Sequence, residues 1–179
     1  MIECTKKEAV VRTLFDHDRI IARSNELAIQ IKKECGDKPL SVIVLANGAI
    51  FFAAELLLRL RMDVELDVLA IASYNGMERA ETIVDRSDVL KIDLNGRQVL
   101  VIDDVFDSGK TIEHVFKRLQ KENPAKLKSC VLLLKNCKRD TSLLPDYHGF
   151  VIEDEFVVGY GLDYNERYRN LPYVGVLDT

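Results

Sequence analysis

The chain has 179 residues, of which 47% are hydrophobic, and its 25 Lys and Arg against 29 Asp and Glu give a formal net charge of −4. This length predicts one domain that can bury a sizeable core, and the acidic balance argues against a broad basic face for nucleic acid. The apolar runs are far shorter than the roughly 20 residues of a membrane helix, and the first residues lack a signal-peptide pattern, so we expect a soluble, cytoplasmic protein.

The predicted elements alternate between helices and strands. Apolar residues at helical spacing predict the helices, and short β-branched or continuous apolar runs predict the strands. In chain order these are a helix over 16–35, a strand over 40–45, a helix over 50–61, strands over 64–72 and 98–103, a helix over 111–122 and a strand over 128–134. This alternation is typical of an α/β sheet with right-handed crossovers.

Two of the predicted helices carry further expectations. Asp16 or Asp18 is expected to cap the first helix, and Gly36 is expected to end it. The helix over 50–61 is apolar on nearly every side, which predicts that it is buried.

A long polar stretch over 73–90, which begins with Ser73 and Tyr74, interrupts the alternation. It is too long for a passive connection in a compact domain. Two interpretations stay open: a lid that closes over a site, and a solvated hairpin without a catalytic role.

The cysteines and histidines do not follow a metal-binding pattern. No Cys-x-x-Cys pair occurs and the three histidines lie far apart in sequence, whereas zinc ligands come in closely spaced pairs. A disulfide framework is not expected in a reducing compartment. We therefore expect neither a zinc site nor disulfides.

The most informative stretch, over 99–111, reads Val-Leu-Val-Ile-Asp-Asp-Val-Phe-Asp-Ser-Gly-Lys-Thr. A buried strand is predicted to deliver Asp103 and Asp104 at its carboxyl end, where open α/β sheets bind ligands. The loop and helix start over 107–111 offer backbone amides and hydroxyls that can hold a phosphate. The two carboxylates suit sugar hydroxyls, or Mg²⁺ bound through water.

Two other interpretations of this stretch are weaker. A Walker A loop needs a glycine five residues before its second glycine, and Asp104 stands at that position. Asp107 by itself is also compatible with a simple helix-capping role, and this alternative stays open for that residue.

The stretch over 99–111 resembles the phosphoribosyl-diphosphate (PRPP) binding motif of the type I phosphoribosyltransferases. A second stretch over 155–172, Glu-Phe-Val-Val-Gly-Tyr-Gly-Leu-Asp-Tyr-Asn-Glu-Arg-Tyr-Arg-Asn-Leu-Pro, is similar to the C-terminal region of hypoxanthine-guanine phosphoribosyltransferases. Leu133-Leu134-Lys135 also matches the strand end that carries their purine-reading lysine. The resemblance covers roughly residues 40–177.

The resemblance implies a single domain with the type I phosphoribosyltransferase fold, a mostly parallel central sheet flanked by helices. It implies a small hood subdomain from about 1–15 and 140–179, and a mobile loop at about 73–90. The implied activity is purine salvage: transfer of 5-phosphoribosyl from PRPP to hypoxanthine or guanine, which gives IMP or GMP and pyrophosphate. Mg²⁺ as cofactor and a homodimer or homotetramer are implied as well.

The resemblance also assigns roles to individual residues. By this resemblance, Asp103 and Asp104 bind the ribose hydroxyls of PRPP, and Asp107, beside purine N7, is the general base. The 5′-phosphate is bound by Ser108, Gly109, Lys110 and Thr111. The pyrophosphate is bound by Asn47, Gly48 and Arg169. For the base they are a hydrogen bond to O6 from Lys135, stacking by Phe156, and contacts from Val157 and Asp163. The implied metal ligands are Asp163, Asp103 and Asp104, and the mobile loop starts at Ser73 and Tyr74.

One position departs from the family pattern. The family usually has a basic residue in the pyrophosphate loop where this chain has Ala46. We therefore expect weaker PRPP or pyrophosphate binding through this loop. The family also often has a cis peptide at the equivalent of Leu45–Ala46.

Two alternatives to purine salvage remain. The first is a non-catalytic regulator of the same fold that binds nucleotide or RNA, which the acidic balance and the retained Asp107 and Arg169 disfavour. The second is an enzyme of the same superfamily with another acceptor base. Lys135 disfavours adenine, because an ammonium group donates to a 6-oxo group and accepts nothing from a 6-amino group.

Overall fold

The computed structural model describes residues 11–74, 82–85, 90–139 and 141–177. The strands of this part of the chain are β1 (Val11–Phe15), β2 (Leu40–Ala46), β3 (Val64–Tyr74), β4 (Thr82–Asp85), β5 (Gln98–Phe106), β6 (Lys126–Lys135), β7 (Tyr147–Ile152), β8 (Val157–Val158) and β9 (Val174–Leu177). The helices are α1 (His17–Cys35), α2 (Ile50–Leu60) and α3 (Lys110–Leu119), followed by a 3₁₀ turn over Gln120–Glu122.

The larger of two sheets has the strand order β4-β3-β2-β5-β6-β7. All neighbours from β3 to β7 pair in parallel, and only β4 pairs antiparallel, with β3. The apolar runs of β2 and β5 follow from this position, because central parallel strands are covered on both faces. The α/β fold predicted from the sequence is confirmed.

The helices divide between the two faces of this sheet. Alternate residues of β2 point to opposite sides, so that Val42 belongs to a core cluster with α1 and α2 and Ile43 to a second cluster with α3.

Helix α1 is capped by Asp16, which accepts a hydrogen bond from Arg19 N. Asp16 is one of the two capping residues that the sequence predicts. No helix in the described residues is both long and apolar enough to cross a membrane.

Helix α2 differs from its prediction. The sequence predicts a helix buried all round, but only one side, with Phe52, Ala53, Leu56 and Leu60, is buried. Leu58 on the opposite side is 79% exposed. The reason is that α2 covers one face of the sheet, and no described element covers its outer side.

Strand β5 is longer than predicted. The predicted strand ends at Asp103, but pairing with β6 continues until Phe106 lies opposite Leu134. Asp104, predicted to follow the strand, therefore lies within it together with Asp103, and Val105 and Phe106 come after them. Helix α3, by contrast, is shorter than predicted: its regular part ends at Leu119, three residues before the predicted end.

The smaller sheet has the order β1-β9-β8, with antiparallel pairing throughout. It joins residues near the start of the described chain to residues near its end. Arg12 Nη2 lies 2.9 Å from Glu155 Oε1 and adds a side-chain contact between the same two regions. Arg12 belongs to β1 and Glu155 lies just before β8, so the contact links two strands of the same small sheet.

Candidate active site

The carboxyl ends of β2, β5 and β6 lie side by side in the large sheet. Their last residues are Ala46, Phe106 and Lys135, and a turn follows each of them. Ligands of open α/β sheets bind at this edge. Most of the predicted site residues belong to these strand ends and turns.

Asp103 and Asp104 form a buried acidic pair near the end of β5. Asp103 is only 7% exposed, and its Oδ1 accepts a hydrogen bond from Asp104 N at 3.0 Å. Burial, together with the negative charge of Asp104, raises the pKa of Asp103 well above its ordinary value. Burial also raises the pKa of Asp104, and the charge of Arg169 opposes this rise. Such a pair favours a ligand that donates hydrogen bonds or brings positive charge.

The turn after β5 leads directly into helix α3. Gly109 is the N-cap residue, with φ of 85° and no side-chain hydrogen bond at the cap. A side chain at this position would collide with Phe106 and Thr141, so glycine is required both by the left-handed backbone and by space. Lys110 N lies 3.4 Å from Ser108 Oγ. The structure thus brings Ser108 to Thr111 together at a helix start, where backbone amides favour an anion.

Asp107 and Lys135 meet at the ends of β5 and β6. Lys135 Nζ lies 3.2 Å from Asp107 Oδ2 and 3.1 Å from Asp154 Oδ1, and its side chain is only 14% exposed. Burial lowers the pKa of Lys135, but hydrogen bonds and charges of Asp154 and Asp107 outweigh it and hold that pKa above its ordinary value. Lys135 is therefore a charged, anchored donor and not an ordinary surface lysine.

Phe156 is an exposed aromatic residue in the segment between β7 and β8. Its ring is 51% exposed and lies edge-on to the ring of Tyr164, with centroids 5.6 Å apart. Asp154, which contacts Lys135, precedes Phe156 by two residues. The side chain of Val157 is buried, so that Val157 can face a ligand only through its backbone.

Asp163 and Arg169 are joined by a tight turn. Arg169 Nη2 lies 2.8 Å from Asp163 Oδ1 and 2.9 Å from Glu166 Oε2, and Arg169 Nη1 donates to Gly161 O at 2.8 Å. Asn165 and Glu166 both have positive φ, as the central residues of a type I′ turn do. This turn presents a carboxylate and a guanidinium group together.

The loop after β2 packs against the acidic pair. A Cβ atom on Gly48 would collide with the Asp104 carboxylate, and one on Gly161 would collide with Gly48 O. Asn47, which comes before Gly48, is exposed. The cis peptide bond lies at Ala46–Asn47, so the expected position at Leu45–Ala46 is wrong by one bond.

The predicted metal ligands do not form a closed cage. No group of three or more His, Cys, Asp or Glu side chains that could hold a metal occurs within the described residues. Mg²⁺, however, is commonly held by one or two carboxylates together with substrate phosphates. The all-oxygen donor set of Asp103, Asp104 and Asp163 fits that mode of binding.

The mobile-loop prediction is only partly covered by the structure. Ser73 and Tyr74 end β3, and their backbones pair with Ile83 and Thr82 of β4. Residues 75–81 and 86–89 lie outside the described residues. The lid interpretation stays a prediction.

Some residues whose side chains contact the predicted site residues have no predicted role. Among them are Cys137, Asp154, Tyr164 and Glu166. Tyr164 and Glu166 lie within the stretch over 155–172, but the resemblance assigns no role to either. For Cys137 and Asp154 no spacing in the sequence indicates the contact.

Comparison with known proteins agrees with this geometry. A model of the phosphoribosyl transferase domain family matches residues 10–165. The chain is 36% identical over 178 residues to the hypoxanthine-guanine-xanthine phosphoribosyltransferase of Tritrichomonas foetus, covering 99% of this chain and 97% of that protein. It is 37% identical over 179 residues to the hypoxanthine-guanine phosphoribosyltransferase of Lactococcus lactis, covering 99% and 96%.

Solved structures give the same result. A crystal structure of a hypoxanthine-guanine phosphoribosyltransferase from Bacillus anthracis has a TM-score of 0.88 and 32% sequence identity, covering 96% of this chain and 99% of that one. Because sequence and fold agree over nearly the whole length, the predicted resemblance is confirmed. The chain belongs to the phosphoribosyltransferase family and, within it, to the hypoxanthine-guanine phosphoribosyltransferases.

Proposed function

We propose that this chain transfers the 5-phosphoribosyl group from PRPP to a 6-oxopurine, hypoxanthine or guanine, and releases pyrophosphate. The observation that carries the proposal is the contact between Asp107 and Lys135. A carboxylate and a donor for a 6-oxo group meet at two adjacent strand ends. The acidic pair of β5 and the helix start at Gly109 lie in the same strand-turn-helix segment.

The PRPP end of the site uses the segment over 103–111. Asp103 and Asp104 are assigned to the ribose 2′- and 3′-hydroxyls, because a carboxylate oxygen accepts the hydrogen bonds that hydroxyls donate. The amides at the start of α3 and the hydroxyls of Ser108 and Thr111 are assigned to the 5′-phosphate. The acidic and anion-binding parts are thus adjacent, as a phosphorylated sugar requires.

The leaving group is assigned to Arg169 and the loop at Asn47 and Gly48. Cleavage of the C1′–diphosphate bond leaves positive charge on the ribose carbon and negative charge on the diphosphate. A guanidinium group held in place by Asp163 and Glu166 stabilises that negative charge without reorganisation. No covalent intermediate with the enzyme is needed.

Mg²⁺ is the proposed cofactor, held by Asp163, Asp103 and Asp104 together with oxygens of the substrate. When bound, it supplies positive charge to the diphosphate leaving group.

The base is assigned to Lys135, Phe156 and Asp107. Lys135 donates to the 6-oxo group, and the exposed ring of Phe156 offers a stacking surface. Asp107 accepts the proton from purine N7 as the new bond to the ribose carbon forms. Val157 and Asp163 contribute through their backbones to the opposite edge of the ring.

Three further assignments rest on the resemblance. We propose that the small sheet of β1, β9 and β8 forms the hood over the base, and that the segment over 73–90 is the lid that keeps water from the ribose carbon. A homodimer or homotetramer in the cytoplasm is the proposed working form.

The experiment is an assay of pyrophosphate release from PRPP and Mg²⁺ with hypoxanthine, guanine, xanthine or adenine. We expect release with hypoxanthine, guanine or both, and none with adenine. Nucleotide binding without release for any base would instead support the regulator interpretation. Chelation of Mg²⁺ is expected to abolish the activity.

Asp107→Asn tests the assigned base. We expect turnover to fall roughly 10²-fold, because the amide cannot accept the N7 proton. Asp37→Asn, at an exposed position beyond α1, is the matched control and should keep the activity. Near-normal turnover of Asp107→Asn would leave Asp107 with a structural role only.

A further inference from the structure

Both oxygens of the Asp107 carboxylate are engaged by neighbouring side chains. Lys135 Nζ lies 3.2 Å from Oδ2, and Cys137 Sγ lies 3.3 Å from Oδ1. The same sulfur lies 3.7 Å from the Asp107 carbonyl oxygen. Cys137 therefore contacts the residue through both its side chain and its backbone.

The position of Cys137 is well defined. It stands two residues after the end of β6, and its sulfur contacts Asp107, the first residue after β5. Arg139 Nη2 donates to Lys135 O at 2.6 Å, and the Arg139 guanidinium lies over the ring of Phe106, 5.9 Å from its centroid. These contacts fix the short segment that carries the thiol.

The protonation state of Cys137 suits a donor. Burial raises the pKa of the Cys137 thiol, and the hydrogen bond and negative charge of Asp107 raise it further. Asp154 acts in the same direction and Arg139 opposes it. Cys137 is thus an S–H group at neutral pH, and S–H donates weakly to a carboxylate.

We propose that Cys137 is a positioning residue for the reaction: its thiol and Lys135 hold the Asp107 carboxylate in one orientation, with a lone pair left to accept the purine N7 proton. The inference rests on the proposed role of Asp107. A carboxylate has about four acceptor positions, so the two donors Lys135 and Cys137 leave a position free for the N7–H group of the purine. An ordered carboxylate loses less freedom when the base binds, which favours the reactive geometry.

The test compares Cys137→Ala with Cys137→Ser in steady-state kinetics with a 6-oxopurine and PRPP. The alanine removes the donor, and we expect kcat to fall about fivefold, less than for a strong charge-assisted hydrogen bond. KM for the base and for PRPP should change less than twofold. The serine hydroxyl also donates, so Cys137→Ser should keep kcat within about twofold of the unmodified enzyme.

Cys35→Ala is the matched control, since Cys35 is a half-buried cysteine at the far end of α1 and should keep kcat. If Asp107→Asn is strongly impaired but Cys137→Ala has the same kcat as the unmodified enzyme, the proposal for Cys137 is overturned and the role of Asp107 stands. If Asp107→Asn is itself active, the proposed role of Asp107 fails first.

A second measurement does not depend on activity or on the folding of a Cys137 variant. Peptide-resolved mass spectrometry follows alkylation of Cys137 by iodoacetamide against pH, in the unmodified protein and in Asp107→Asn. Since the Asp107 charge raises the pKa of Cys137, the midpoint should move to lower pH in the variant. An unchanged midpoint would show that the two groups are not in contact in solution, which overturns the proposal.

Discussion

Lys135 and Phe156 are the two side chains proposed to contact the faces and the 6-oxo group of the base. Lys135 is assigned through the family resemblance of Leu133-Leu134-Lys135, and its burial beside two carboxylates agrees with a dedicated donor. Phe156 could equally be a core residue by composition, and its exposure shows that it is not. The partners Asp154 and Tyr164 were not predicted, because contacts between side chains distant in sequence leave no periodic pattern.

Lys135→Ala is expected to raise KM for the purine more than KM for PRPP. The variant removes the proposed donor to the 6-oxo group, while the segment over 103–111 keeps its residues. Steady-state kinetics with each substrate varied in turn measure both constants. Lys138→Ala, at an exposed position in the following turn, is the control. Equal rises in both constants would remove Lys135 from the base pocket.

Tyr164→Ala is expected to raise KM for the purine about three- to tenfold, with KM for PRPP unchanged. An edge-to-face aromatic pair contributes about 0.5–1.5 kcal/mol beyond its buried area, and Tyr164 keeps the Phe156 ring in place. Tyr164→Phe preserves the ring pair and should behave as the unmodified enzyme. If KM for the purine rises equally in Tyr164→Phe, the Tyr164 hydroxyl and not the ring pair is responsible for the effect.

At the scale of elements, hydrophobic pattern predicts the large sheet and its helices because these elements are long and periodic. The ends are less predictable: β5 continues to Phe106 because β6 offers partners up to Leu134, which the β5 residues themselves do not reveal. The pairing within the small sheet is not predicted by this pattern for a similar reason, although the resemblance implies a hood from the same two regions. β8 has only two residues, and β1 and β9 pair across most of the chain length.

The loop between β2 and α2 supplies a prediction at this scale. Ala46→Lys adds a positive charge at the strand end beside Gly48 and Asp104, and we expect KM for PRPP to fall several-fold while KM for the purine stays constant. Ala54→Lys, on the exposed side of α2, adds the same charge elsewhere and serves as the control. An unchanged KM for PRPP would indicate that backbone contacts and Arg169 suffice for this loop.

For the whole molecule, the arrangement of the chain brings together the residues proposed for PRPP and those proposed for the base. The segment over 103–111 follows a central strand, whereas Phe156 and the turn over 163–169 belong to the region that pairs with β1. Lys135 joins the two, since it contacts Asp107 on one side and Asp154 on the other. The sequence predicts the segment over 103–111 and the stretch over 155–172 separately. It does not predict that Lys135 contacts both Asp107 and Asp154, because these contacts depend on how the strands pair.

Strand β7 completes the large sheet and gives the stability of the whole fold a pH dependence. Arg23 of α1 donates to His148 O at 2.8 Å and to Gly149 O at 2.9 Å. Burial, and then the charge of Arg23, lower the pKa of His148 from its ordinary value of 6.5. In the unfolded chain His148 binds its proton near pH 6.5, while the folded chain binds it only at lower pH.

Between these two pKa values the unfolded state therefore holds more protons, so this histidine contributes stability above pH 6.5 that is lost as pH falls through the folded pKa. His148→Gln removes the titrating group, and its free energy of unfolding should decline less than that of the unmodified protein between pH 7.5 and 5.5. Urea unfolding at several pH values measures both curves, with His114→Gln, an exposed histidine of α3, as the control. Parallel curves for His148→Gln and the unmodified protein would mean that His148 titrates alike in the folded and unfolded chains.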